Sequence, residues 1–204
     1  MSNSEQETEA KFYVQDLERI SASLQDAKAH LVQARVLEKN LRFDLPDGRL
    51  RAAGQVLRLR YDTEARLTYK GENKNTRGVL SREEIEFVVE DFEKAKKFLA
   101  ALGYQQVFYY EKYRTTYELD HIEIMMDELP YGNFVELEGE TEETIRTLSK
   151  KLNLNWDATI ERSYSALFED VRKNMDLSFR DLSFENFANI QVNATHLGVQ
   201  AADK

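Results

Sequence analysis

The chain has 204 residues, of which 42% are hydrophobic and 32% are charged, and its formal net charge is −9 at pH 7. This length is typical of one domain with a sizeable core, and the acidic balance argues against general binding to nucleic acid or to anionic membranes. The absence of cysteine excludes a disulfide framework, a thiol nucleophile and a thiolate metal site. Three scattered histidines disfavour a histidine-based zinc site. Because we find no secretory segment and no apolar run of about 18 residues, we expect a cytoplasmic protein.

In the first half of the chain, the sequence predicts one helix between strands. Glu7 to Val14 alternates charged and apolar residues, which is typical of a strand. Apolar residues at helical spacing then predict a helix over 16–32, with Asp16 as its N-cap. Further strands, separated by the turn at Pro46 and a loop over 71–78, are predicted over 35–44, 56–61, 65–70 and 81–89.

The second half repeats this organisation. A helix is predicted over 91–102, ending at Gly103. Strands are predicted over 107–117, 121–128 and 134–140, followed by helices over 142–152 and 159–174. The order of the elements predicts an α+β fold, in which helices cover one face of a mainly antiparallel, curled or closed sheet of about eight strands.

Charged residues gather on one face of these strands, and like charges repeat two residues apart. The pairs are Glu7/Glu9, Arg58/Arg60, Glu84/Glu86, Lys112/Arg114 and Glu136/Glu138. Side chains at this spacing lie roughly 6–7 Å apart, so each pair repels itself. A charged face in water is common for a single strand, but a solvated face gains nothing from grouping like charges. We therefore predict that this face lines the inside of the sheet.

The two signs of charge on this inward face indicate two kinds of ligand. Buried charges must be paired or ligated, and five or six cations can pair with a highly charged anion. Carboxylates without histidine or cysteine suit a hard divalent cation such as Mg²⁺ or Mn²⁺. An anion and a metal in one site indicate a metal-bound polyphosphate.

The order of these motifs resembles the CYTH family, also called triphosphate tunnel metalloenzymes. The family includes class IV adenylate cyclases, thiamine triphosphatases and inorganic triphosphatases. The resemblance extends over about residues 5–172 and rests on Glu7-x-Glu9-x-Lys11, Arg58-x-Arg60, Thr68-x-Lys70, Glu84-x-Glu86, Lys112-x-Arg114, Asp127 and Glu136-x-Glu138. It implies a closed, eight-stranded antiparallel β-barrel with helices packed outside. The chain departs from the family pattern at Asn40 and Arg42, where an acid and an aromatic residue are expected.

The resemblance also implies roles for individual residues. The triphosphate would be bound by Lys11, Arg58, Arg60, Lys70, Lys112 and Arg114. The divalent metal would be held by Glu7, Glu9, Asp127, Glu136 and Glu138. The residues implied in catalysis are Glu7, Glu9, Lys11, Glu84 and Glu86, of which the last two would orient the basic residues or share the metal shell.

Three functions are compatible with these residues. Hydrolysis of an inorganic, organic or nucleoside triphosphate requires the fewest identified residues, so a divalent-metal-dependent triphosphatase is favoured. A class IV adenylate cyclase, which converts ATP to cyclic AMP and pyrophosphate, would also need a base pocket, for which Tyr61, Tyr69 and Tyr131 are the aromatic candidates. A polyphosphate-binding protein without catalysis would need the cations but not the ordered acids. Phosphate-binding loops of the G-x-x-x-x-G-K-[ST] and G-x-G-x-x-G types are absent.

We expect the CYTH-like domain to occupy residues 1–174 and a C-terminal extension to occupy 175–204. Apolar residues in the extension are consistent with docking on its own domain or with a homodimer contact, and we expect its last residues to be disordered.

Overall fold

The computed structural model describes residues 6–72, 74–76 and 79–203, with the backbone alone at residues 6, 7, 74–76 and 79–81. The side chain of Glu7, a predicted site residue, therefore lies outside the described residues. The strands are β1 (Gln6–Val14), β2 (His30–Asp44), β3 (Val56–Tyr61), β4 (Ala65–Lys70), β5 (Lys74–Thr76), β6 (Val79–Val89), β7 (Gln105–Leu119), β8 (Ile122–Leu129) and β9 (Gly132–Gly139). The helices are α1 (Leu17–Asp26), α2 (Arg49–Ala52), α3 (Phe92–Ala101), α4 (Glu142–Lys151), α5 (Tyr164–Asn174) and α6 (Ala194–Leu197).

The strands form one antiparallel sheet in the order β1-β9-β8-β7-β2-β3-β4-β6-β5. Strand β1 also pairs with β6, from Gln6 opposite Glu83 to Glu9 opposite Leu80, so β1 has a partner on each side. The predicted α+β class and the eight predicted strands are confirmed by β1–β4 and β6–β9. The three-residue strand β5 lies in the segment predicted as a loop, where it pairs with the start of β6.

Two predicted helices are shorter than their apolar spacing indicated. Helix α1 is capped as predicted, because the Asp16 carboxylate accepts a hydrogen bond from the Arg19 amide, but it ends at Asp26 and not at residue 32. Lys28 adopts a left-handed conformation with φ of 59°, and the chain then enters β2. Helix α5 begins at Tyr164 and not at residue 159, because residues 159–160 extend along β1, where the Ile160 amide donates to the Lys11 carbonyl.

The hydrophobic core lies between the sheet and the helices and has three parts. Helices α1 and α4 pack on β1, β8 and β9 through residues such as Ile20, Ile145 and Leu137. Helix α5 covers Phe134 and its neighbours, and α3 covers β2 and β3 through Leu99. The apolar faces of these strands are therefore occupied by helices, and the charged faces lie on the other side of the sheet. In the described part of the chain, no helix is long and apolar enough to cross a membrane.

The segment after α5 lies on the rest of the same chain. The Leu182 amide donates to the Tyr109 carbonyl, and the Glu111 amide donates to the Leu182 carbonyl. Near the end of the chain, the Ala202 amide donates to the Tyr13 carbonyl, and Ala202 is buried. These contacts hold residues 182–202 against β7 and β1. The boundary near residue 174 and the homodimer stay predictions.

Candidate active site

A cavity of about 300 Å³ is lined by side chains from the charged faces of the strands. Most of the predicted site residues meet there. Those on its wall are Glu9, Lys11, Arg58, Arg60, Lys70, Glu84, Glu86, Lys112, Arg114, Glu136 and Glu138. Asp127 lies behind the wall. The alternation of strand side chains brings these distant residues together, because every second residue of each strand points to the same face.

Asp127 is the anchor of a buried ion-pair network. It is completely buried and accepts hydrogen bonds from Lys112 Nζ at 2.9 Å and from Arg114 Nε and Nη2, both at 2.6 Å. The Tyr164 hydroxyl donates a further bond to it at 2.8 Å. Because its oxygens accept four bonds, Asp127 fixes the positions of two cations that line the cavity.

Glu136 and Tyr164 hold a third cation, Lys11, beside this network. Lys11 Nζ lies 3.1 Å from Glu136 Oε1, and Arg114 Nη2 donates to Glu136 Oε2 at 2.6 Å. Burial alone would raise the pKa of Glu136, but Lys11 and Arg114 hold it well below its ordinary value. The Lys11 ammonium also lies 4.6 Å from the centre of the Tyr164 ring, and Lys112 lies 5.5 Å from it. Tyr164 thus contacts both lysines and Asp127, the counter-ion of Lys112.

Tyr164 and Glu38 are residues whose place in this network was not predicted. From the sequence, Tyr164 is interpreted as packing its helix on the sheet, with a role at the mouth of the tunnel as the alternative. Glu38 shares the charged parity of β2, and that parity was the available signal. It is buried, with oxygens 3.4 Å from Lys112 Nζ and 3.7 Å from Arg60 Nη1. Burial would raise the pKa of Glu38, but Lys112, Arg114 and Arg60 together lower it to about 2.

Glu84 and Glu86 orient the basic residues of β3 and β4. Arg58 Nη2 lies 3.3 Å from Glu86 Oε2 and 3.8 Å from Glu84 Oε1. Arg60 Nη2 lies 2.9 Å from Glu86 Oε1, and Lys70 forms an ion pair with Glu84. The two acids therefore hold three of the predicted phosphate-binding cations in place.

Carboxylates concentrate at one part of the cavity. Glu9, Glu138 and Glu123 are cross-strand neighbours on β1, β9 and β8. Burial and the charges of Glu123, Glu9 and Glu84 raise the pKa of Glu138 to about 7, although Lys70 opposes the shift. Negative charge is therefore in surplus here, and Glu123 joins the acids identified from the sequence.

The acidic part of the cavity fits a hard divalent cation by its chemistry. All its donors are carboxylate oxygens, which Mg²⁺ and Mn²⁺ prefer, and a bound cation would relieve their mutual repulsion. Among the described residues, no three acidic or histidine side chains are close enough together to hold an ion. The Glu7 side chain, whose parity matches that of Glu9, lies outside this description.

A comparison with known protein families shows the family to which the chain belongs. The CYTH domain model matches residues 5–164. The chain belongs to the CYTH family. CYTH proteins are enzymes of triphosphatase or adenylate-cyclase-like type that depend on divalent metals. The matched range contains every residue predicted to bind triphosphate or metal.

Other CYTH-like proteins resemble the chain over most of its length. A protein of Methanocaldococcus jannaschii named as a candidate adenylate cyclase is 28% identical over 172 residues, which cover 79% of this chain and 97% of the relative. The structure of a candidate adenylate cyclase from Vibrio parahaemolyticus has a TM-score of 0.74 at 18% identity, covering 82% of this chain and 99% of that one. A Hippeastrum protein, described as a candidate adenylyl cyclase with a dominant triphosphatase activity, has a TM-score of 0.60 at 21% identity, with coverages of 80% and 95%.

The aromatic candidates for a base pocket in this CYTH protein lie elsewhere. Tyr61 is 46% exposed and packs edge-on against Phe92 of α3. Tyr131 is buried, and its hydroxyl donates to the Tyr164 carbonyl at 2.9 Å. Neither these two residues nor Tyr69 is among the side chains that line the cavity.

Proposed function

We propose that this CYTH protein is a divalent-metal-dependent triphosphatase that hydrolyses a phosphoanhydride bond of a triphosphate inside a charged tunnel. The observation that carries the proposal is the cavity itself. One wall presents cations fixed by buried acids, and another presents carboxylates that repel one another. A triphosphate would supply negative charge to the cations, and its metal ion would supply positive charge to the carboxylates. We also propose that the protein acts in the cytoplasm.

The tunnel is part of the proposal, and the pairing of β1 supports it. Strand β1 hydrogen-bonds to β9 on one side and to β6 on the other. In the sheet order, β1 and β6 lie near opposite ends, so their pairing brings those ends together. We propose that the eight long strands close around the cavity as a barrel, because eight strands enclose a space large enough for one small ligand.

Three of the cationic side chains proposed to bind the triphosphate are held in position by acidic partners. Lys112 and Arg114 are held by Asp127, and Lys11 is held by Glu136. They would neutralise the non-bridging oxygens of the phosphate chain, as would the predicted residues Arg58, Arg60 and Lys70. Phosphoryl transfer depends mainly on positioning and charge stabilisation, so these side chains supply most of what the reaction requires from the protein.

Glu9 and Glu138 would hold the metal. Glu123, which lines the cavity, is a further proposed ligand, and Glu7 stays a ligand predicted from the sequence. A bound divalent ion would polarise the attacked phosphoryl group. Asp127 was predicted as a ligand as well, but it lies behind the cavity wall, where its oxygens accept bonds from the lining residues Lys112 and Arg114. We therefore propose that Asp127 positions cations, and that Glu136, which lines the cavity, is the acid between the two regions.

Adenylate cyclase activity is the second candidate, supported by the names of the relatives from Methanocaldococcus jannaschii and Vibrio parahaemolyticus. In that reaction, the attacking group is the ribose hydroxyl of ATP and not water. It therefore needs a site for the base. The Hippeastrum protein is described as having a dominant triphosphatase activity although it too is named as a cyclase, so we favour hydrolysis.

A phosphorus NMR time course tests the proposal. The protein is incubated with Mg²⁺ or Mn²⁺ and either tripolyphosphate or ATP, with an EDTA control for each. We expect metal-dependent conversion of at least one triphosphate to a diphosphate and phosphate. Formation of pyrophosphate and a cyclic phosphodiester from ATP would establish the cyclase. No turnover of either substrate, or turnover that persists in EDTA, would contradict the proposal.

A further inference from the structure

Two guanidinium groups lie opposite each other on the cavity wall. Arg42 of β2 and Arg58 of β3 are direct cross-strand partners, and both line the cavity. Like charges in this arrangement destabilise a sheet. Arg58 is compensated by Glu84 and Glu86. The polar partner of Arg42 is neutral, because its Nη1 donates to Ser165 Oγ at 2.6 Å.

The positive charge around Arg42 has no counter-ion within the described side chains. Arg82 of β6 also lines the cavity, and neither Arg42 nor Arg82 forms an ion pair there. Burial and the nearby guanidinium groups of Arg58 and Arg82 lower the pKa of Arg42, although Tyr110 opposes them. A partly buried cation with cationic neighbours is unfavourable until an anion joins it. The missing charge is therefore one that a ligand can bring.

The described cavity wall offers few surfaces to a nucleobase. A base is usually bound by apolar walls and aromatic faces. The Tyr164 ring lies against Lys11, and the Tyr110 ring is stacked on Phe108, with centroids 5.5 Å apart. The clearly apolar side chains of the wall are Val56 and Met125. A nucleoside at this end would meet the guanidinium groups of Arg42 and Arg82.

We propose that Arg42, assisted by Arg82, binds the free terminal phosphate of an inorganic polyphosphate chain and makes this protein select tripolyphosphate over nucleoside triphosphates. The inference rests on the proposed function and specifies its substrate class. A terminal phosphate carries close to two negative charges at neutral pH, by analogy with a phosphate monoester at roughly −1.5 to −2. Tripolyphosphate has such a group at each end. A nucleoside triphosphate has one, because its other end is esterified to the ribose.

The test compares Arg42→Gln with wild type on tripolyphosphate and on ATP. Loss of a charged hydrogen-bond partner should reduce kcat/KM for tripolyphosphate about 10- to 100-fold, mainly through KM. For ATP, we expect a change of less than about threefold, because productive binding would place its γ-phosphate at the metal and its esterified end, which offers no free phosphate, beside Arg42. Arg42→Lys should recover part of the loss. The matched control is Arg35→Gln on the same strand, since Arg35 pairs with Glu128 and lies outside the cavity lining.

Binding and folding measurements make the result independent of turnover. Isothermal titration in EDTA gives Kd for each compound, and thermal melts check the fold, which removal of a repelling charge should not weaken. Equal losses on both compounds, or no loss for tripolyphosphate, would overturn the inference. If wild type hydrolyses neither compound, the proposed function fails. Selective weakening of tripolyphosphate binding in Arg42→Gln would then still support binding of the terminal phosphate by Arg42. Equal Kd values for tripolyphosphate in wild type and Arg42→Gln would refute it.

Discussion

Replacing Glu138 by glutamine should make the metal-free protein more stable while removing its activity. Burial and neighbouring acids raise the pKa of Glu138 from 4.5 to about 7. At pH 8, the carboxylate is ionised in both the folded and the unfolded chain, but only the folded chain has the unfavourable surroundings. The shift corresponds to a penalty of about 3 kcal/mol. Solvent screening and the lost contact with Lys70 reduce it, so we expect a gain of about 1–2 kcal/mol.

The pH dependence of this gain follows from the sign of the shift. The penalty is present above pH 7, decreases as the folded-state carboxyl takes up its proton, and falls to about a quarter of its full value at pH 5. Urea denaturation in EDTA at pH 8 and pH 5 measures it, and at pH 8 the Tm should rise by roughly 3–6 °C. Turnover of tripolyphosphate with Mn²⁺ should fall by about 100-fold or more, because the proposed metal ligand is lost.

Glu140→Gln is the matched control, since Glu140 lies two residues further along the chain and is exposed. It should change neither stability nor turnover. If Glu138→Gln were less stable than wild type at pH 8 in EDTA, or if it kept full activity, the placement of Glu138 in a repelling, metal-binding cluster would be wrong.

Three further predictions concern the buried network. Glu38→Gln should lower the free energy of unfolding at neutral pH by about 3 kcal/mol. Since the pKa of Glu38 is lowered from 4.5 to about 2, this difference should shrink as pH falls from 4.5 towards 2; a constant difference in urea denaturation would contradict it. Asp127→Asn should cost about 3–5 kcal/mol, because Lys112 and Arg114 keep their burial without their shared counter-ion; a loss below about 1 kcal/mol would be inconsistent with the role of Asp127. Tyr164→Phe should cost about 1–3 kcal/mol by removing the bond to Asp127, and Tyr164→Leu should also weaken tripolyphosphate binding by removing the ring beside Lys11; equal effects of both variants in melts and titrations would argue against the ring contact.

The parts of the fold and site that follow from local patterns could be predicted. Alternation is a property of each strand alone, so it correctly predicted the sheet and gathered residues such as Lys112 and Glu136 on one face. Helix limits were less predictable. The end of α1 depends on the left-handed Lys28, and the start of α5 depends on pairing of residues 159–160 with β1, neither of which is visible in apolar spacing.

Contacts between distant segments could not be derived from periodicity. Tyr164 has the spacing of a packing residue, yet its hydroxyl reaches Asp127, which lies 37 residues earlier in the chain. Arg42 was recognised only as a departure from the family pattern. Its position opposite Arg58 becomes apparent once the register of β2 and β3 is known. The separation of the acids into those that hold cations and those proposed to hold a metal likewise depends on which charges meet across strands.

The most direct test of the account is a crystal structure with Mn²⁺ and a slowly hydrolysed imido analogue of tripolyphosphate. We predict anomalous density for manganese beside Glu9 and Glu138. The analogue should lie between Lys11, Lys112 and Arg114. The contradicting result would be a manganese ion and an analogue bound on the outer surface, with neither in the charged cavity. In that case, these charges would not face inward to bind a metal-bound triphosphate.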